Sequence, residues 1–202
     1  MLALVLKTWI INMSYLVVGV LLFAVVHFIP SMAPGTKASW LGKMGESGYK
    51  GTFSLLLLAS FALMIVGWRG AQPSSIYVPM LALREPAMGL LVIAVGFLVV
   101  GSRNSRLRQW VRHPQLTGLL LWAVAHLLLN GDSRSITLFG GMAAWSFLEM
   151  LAISKHEGAW VKSEVPTLTA ELLTVVITMV AVAAIVWGHA YLSGVPVYAN
   201  IS

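Results

Sequence analysis

Four of the five histidines stand in or beside strongly apolar stretches: His27 in AVVHFIP, His113 in VRHPQLTG, His126 in WAVAHLLL and His189 in VWGHAYL. A neutral imidazole can ligate a metal, pass a proton, or brace two helices through hydrogen bonds. Ionisable groups in apolar spans are costly, tend to face the interior, and mark functional hypotheses by default. Glu149, in AWSFLEMLAIS, is of the same kind. It could donate a proton, orient a histidine from behind, or snorkel to water. His156 differs, because its surroundings, SKHEGAWVKSE, are polar and suit a solvated surface residue. The chain has no cysteine, so disulfides, iron–sulfur clusters and thiolate chemistry are excluded.

The elements that must carry these residues are membrane helices. The 202 residues are 58% hydrophobic and 10% charged, against about 45–50% and about 25% in soluble domains. Mean hydropathy is +0.85. Six apolar segments stand out, roughly Trp9–Ile29, Thr52–Trp68, Pro86–Gly101, Pro114–Leu129, Ile136–Ile153 and Ala170–Leu192. A span needs about 20 apolar residues, so the third and fourth are short. The expectation is an all-α polytopic bundle of about six transmembrane helices, forming a single domain over residues 1–202 within a lipid bilayer. The net charge of +6 does not imply nucleic acid as a partner, because the cations sit in short loops between apolar runs.

Counting lysine and arginine orients the chain. Lys37, Lys43, Lys50, Arg103, Arg106, Arg108, Arg112, Lys155 and Lys162 fall in loops one, three and five. Only Lys7, Arg69, Arg84 and Arg134 fall on the other side. Positive-inside bias then makes loops one, three and five cytoplasmic and puts both termini outside. PSMAPG after the first run suits a signal-peptide cleavage site. An outside amino terminus and the run's length favour a retained first helix instead.

Depth groups the histidines. His27 lies near the cytoplasmic end of the first helix and His113 at that level at the start of the fourth. His126 is about 20 Å further along the fourth helix at 1.5 Å per residue. His189 approaches the outer end of the sixth. The grouping is an inner pair, His27 with His113 at the depth of Glu149, and an outer pair, His126 with His189.

Local chemistry sharpens this. Pro114 disfavours helical backbone at His113 and suits the first helical position, making His113 an N-cap with a ring free to swing. Arg112 beside it puts a cation at a positive helix end, which favours an anionic partner such as a carboxylate or propionate. It equally suits a headgroup-facing arginine. Gln115, Leu119, Trp122, His126 and Asn130 share one face of the fourth helix and should look into the bundle. Asn130-Gly131-Asp132 then reads as a stop, with Gly131 suited to a left-handed backbone, or as part of a second polar site with Trp122, His126 and His189. Thr174 and Thr178 suit helix–helix contacts, and Gly140 and Gly141 close packing.

RHPQLTGLLLWAVAHLLLNGD followed by SITLFGG resembles the NnrU family of bacterial integral membrane proteins. VVHFIPS, GYKGTFSLLLLASF and the terminal GVP extend the resemblance over most of the chain. It implies a bacterial inner-membrane protein associated with nitrite and nitric oxide metabolism. The family is similar to 15-cis-ζ-carotene isomerase of plants and cyanobacteria, a membrane enzyme with histidine-ligated haem b. That likeness implies haem b here, with iron on His27 and His113, Arg112 at the propionates and Glu149 as outer partner. It also implies redox or isomerase activity on a hydrophobic small molecule. Cysteine being absent, no alternative thiolate ligand exists. Two alternatives stay open: a non-catalytic assembly factor for a respiratory complex, and an S-adenosylmethionine-dependent membrane methyltransferase. For the latter, Arg-His-Pro is similar to the isoprenylcysteine type, but Glu157 and Glu164 are isolated and the aromatic tail is missing.

Overall fold

The computed structural model describes the backbone of residues 2–197 and the side chains of residues 11–197. Lys7 and Trp9, used above for topology and for the start of the first segment, have side chains outside that range. Six helices carry the fold: α1, Leu2–Met32; α2, Pro34–Gly70; α3, Arg84–Gly101; α4, Pro114–Leu129; α5, Ser133–Glu157; and α6, Leu168–Ser193. A 3₁₀ turn, Leu81–Leu83, leads into α3 and extends its apolar length to 21 residues. Five of these helices are long and apolar enough to cross a membrane, while α4 is shorter at 16 residues. The all-α membrane bundle is therefore observed, with one change of plan. Loop one is helical: Pro34 starts α2 at once, and Gly45, at φ 69°, kinks it before the span proper. A positive φ of this kind favours glycine.

Small residues set the helix pairs, as expected where lipid gives no hydrophobic drive between helices. A Cβ on Gly67 would lie 2.4 Å from the Leu16 backbone nitrogen, and one on Gly19 2.8 Å from that of Met64, so α1 and α2 meet backbone to backbone. Gly118 brings α4 equally close to Ala94 and Leu98 of α3. α5 bridges the two hairpins, touching α1 and α4. Leu16, Val20 and Phe23 of α1, Met64 of α2, Ala123 of α4, and Phe139, Met142 and Trp145 of α5 form the buried core. α6 packs on α3, more lightly on α2, and scarcely on α4.

Both ends of the bundle are tied by polar contacts. At one end, Arg103 Nε donates to Thr174 Oγ1, and Glu171 accepts from Ser105 Oγ and the Arg106 amide. At the other, Trp68 Nε1 donates to the Ser193 carbonyl and Arg69 to that of Tyr191. Loops one, three and five share the first end, hereafter the basic face.

Candidate functional site

The fourth-helix stripe turns inward at its outer half. Trp122 and His126 lie one turn apart, ring centres 4.8 Å from each other, and both pack on Phe139 of α5. Phe139 is brought there by a single wide turn, Ile136–Gly140, inside α5. Such turns recur at functional sites. Phe139 stacks on His126 at 4.3 Å and meets Trp68 edge-on. On the other side stands His189 of α6, its ring centre 6.5 Å from that of His126 and its plane inclined by 20°. Gln115, at the lower end of the stripe, is exposed and abuts Gly101 instead.

Hydrogen bonding settles which nitrogens of this outer pair carry lone pairs. His126 Nδ1 donates to the Trp122 carbonyl at 2.8 Å, and His189 Nδ1 to the Val195 carbonyl at 2.7 Å. A ring that donates from Nδ1 keeps its lone pair on Nε2, the arrangement of a metal-ligating histidine with a carbonyl behind it. Two metal–nitrogen bonds of about 2 Å, with about 1 Å from each nitrogen to its ring centre, span roughly 6 Å. The 6.5 Å between the ring centres of the outer pair is close to that span. No cluster of three or more His, Asp or Glu able to hold a bare metal ion occurs among the described residues. A haem iron needs only two protein ligands.

The inner residues are arranged differently. His27 Nδ1 donates to the Phe23 carbonyl, and the ring sits among Phe23, Phe53 and Trp145. His113 shares a 2.8 Å hydrogen bond between Nε2 and Ser154 Oγ. Trp145 and Ser154 are about 13 Å apart along α5, so the two imidazoles engage different levels of that helix. Glu149 is buried and accepts a 3.0 Å hydrogen bond from Ser31 Oγ; no histidine bonds to it among the described residues. The indole nitrogen of Trp145 is buried without a hydrogen-bond partner.

His113 does occupy the N-cap position ahead of Pro114, but its ring is tied rather than free. Burial, then the Arg112 charge, push its pKa down, opposed by Glu157. The anion expected opposite Arg112 comes from the chain itself, since Glu157 Oε2 lies 3.5 Å from the guanidinium.

The family comparison completes the picture. The NnrU protein family matches residues 15–197, most of the chain. The chain belongs to the NnrU family. Neither a curated protein nor a solved structure matches it.

In this NnrU-family chain the NGD stretch proves to be an anchor point. Asp132 is the N-cap of α5, accepting from the amides of Arg134 and Ser135 and from Ser135 Oγ. Gly131 does not have the positive φ expected of it; positive values among the described residues occur at Gly45, Gly158 and Gly194. Its lack of a side chain serves contact instead. A Cβ there would stand 1.9 Å from the Tyr77 carbonyl oxygen. Ile76 and Tyr77 amides donate to the Gly131 carbonyl, and Tyr77 Oη donates to the carbonyls of Asn130 and Leu127. The connection before α3 thus lies as a strap over the turn. Asn130 and Asp132 serve this strap, while Trp122, His126 and His189 form the aromatic cluster.

Residue-type reasoning missed Phe139, Ser31, Ser154, Trp145 and Tyr77. The one readable signal was TLFGG, whose wide turn aims Phe139 and whose Gly141 meets Val20 of α1. His156 is exposed, as expected.

Proposed function

We propose that this NnrU-family membrane protein binds haem b, and that His126 of α4 and His189 of α6 would hold it. The observation carrying this is the 6.5 Å separation of two imidazoles that both donate Nδ1–H to carbonyls. Bound haem supplies one-electron chemistry. The chain's own residues fix the two rings: Phe139 and Trp122 hold His126, and Ser193 with the Val195 carbonyl holds His189. In this reading the protein works in the bacterial inner membrane, in redox chemistry linked to nitrite or nitric oxide, or in a related isomerase-like step on a hydrophobic molecule.

The resemblance to the carotene isomerase favours the inner pair, His27 with His113, and the same experiment decides between them. Purified protein should give a Soret band and reducible α/β bands. His126→Ala and His189→Ala should each lose them, while His27→Ala, His113→Ala and His156→Ala keep them. Loss in the inner variants alone moves the ligands to His27 and His113. A colourless protein with no extractable haem overturns the reading. An assembly-factor role would then lead. Methyl transfer gains no support, since Glu157 is engaged by Arg112.

A further inference from the structure

A second site lies on the basic face, away from the histidines. The 3₁₀ turn Arg106–Gln109 and the chain 158–167 border an open, shallow pocket of about 290 Å³ lined by Arg106, Gln109, Trp110, Lys162 and Val165. We propose that it binds the phosphate headgroup of an anionic membrane lipid.

Charge is the first argument. The other arginines of this loop have protein partners: Arg103 donates to Thr174, Arg108 to the carbonyls of Gly101 and Arg103, and Arg112 faces Glu157. The Arg106 and Lys162 side chains form no ion pair among the described residues; Lys162 lies 5.3 Å over the Trp160 ring. The nearby carboxylate of Glu171 is taken by Ser105 and the Arg106 amide, and Glu164 is exposed. Two cations thus converge on one pocket without a matching acid.

Position is the second argument. The pocket lies where α3 and α5 end and α6 begins. Trp110 is 82% exposed and Val165 62%. Tryptophan with basic side chains at that depth suits the headgroup layer. The volume is at the small end of ligand pockets, near 300 Å³, which suits a headgroup better than a whole lipid.

The third argument is that the walls are already held in place. Gln109 Nε2 donates to the Ser163 carbonyl, and the Ser105–Glu171 bond anchors the turn.

The test titrates the purified full chain with short-chain phosphatidylglycerol, reading bound lipid by native mass spectrometry. Phosphatidylcholine and inorganic phosphate serve as parallel probes. Phosphatidylglycerol should bind more tightly than either. The double variant Arg106→Gln/Lys162→Gln should weaken it roughly 30-fold, the effect of two interfacial cations, with helicity by circular dichroism unchanged. Both side chains are exposed, so folding does not depend on them. Equal binding of phosphatidylcholine, or an unchanged affinity in the double variant, overturns the site. Inorganic phosphate binding as tightly as the lipid overturns the lipid as its occupant.

Discussion

The ring centres of His126 and His189 stand 6.5 Å apart although the helices that carry them scarcely touch. Close helix packing does not enforce this approach. It depends on the backing of each ring, from Phe139 and the Trp122 carbonyl on one side and the Val195 carbonyl on the other. Each ring backed in this way keeps its lone pair on Nε2, and the haem proposal rests on that together with the closeness of the two rings.

Trp122 is the prop of that arrangement, packed on both His126 and Phe139. Trp122→Ala should cost about 3–5 kcal/mol, read by thermal unfolding in detergent. Val124→Ala, on the more exposed side of α4, should cost under about 1 kcal/mol. Equal costs would mean the Trp122 ring is not core-packed.

Gly131→Ala should destabilise, because its Cβ would collide with the Tyr77 carbonyl. A cost of about 1–3 kcal/mol is typical of overpacking. The strap over the NGD turn should also become more sensitive to limited proteolysis. Gly140→Ala is the control: its nearest neighbour would be 3.9 Å away, so stability should stay nearly unchanged.

These cases indicate what was legible from residue types. The helix spans, the inward stripe of α4 and the N-cap role of His113 follow from hydrophobic periodicity and the backbone demands of Pro114, which are local. The pairing of His126 with His189 was readable from depth, because a helix advances by a constant rise. The state of each ring was not. Whether His113 swings freely or binds Ser154 depends on a residue 41 positions away. Gly131 shows the same limit, since a glycine after Asn130 suggested a left-handed cap whereas the reason for glycine is the Tyr77 strap. Loop one looked like a connection because Gly, Lys and Ser interrupt the apolar pattern, yet Pro34 starts a helix there.

Both termini should lie outside, since loops one, three and five hold nine of the thirteen lysines and arginines. Alkaline phosphatase fused after Ser202 should be active, and a cytoplasmic reporter fused there inactive. The opposite outcome would move the basic face, with Arg106 and Lys162, to the outer side.

The last prediction concerns acid. His113 has its pKa lowered in the folded protein, first by burial and then by Arg112, so protons bind the unfolded chain more readily than the native one. Its contribution to stability is therefore complete above the unfolded value of 6.5 and is lost as pH falls from there towards the folded pKa. Melting temperature should decline between pH 7.5 and 5 in the parent protein. His113→Gln keeps a group able to hydrogen-bond Ser154 but cannot titrate, so its decline over that window should be shallower. Lys155 and the Arg112–Glu157 pair also lie on this face, which makes His156→Gln the necessary control; exposed His156 should leave the slope as it is. Identical slopes in the parent and His113→Gln would show that His113 is not the group that senses the pH change.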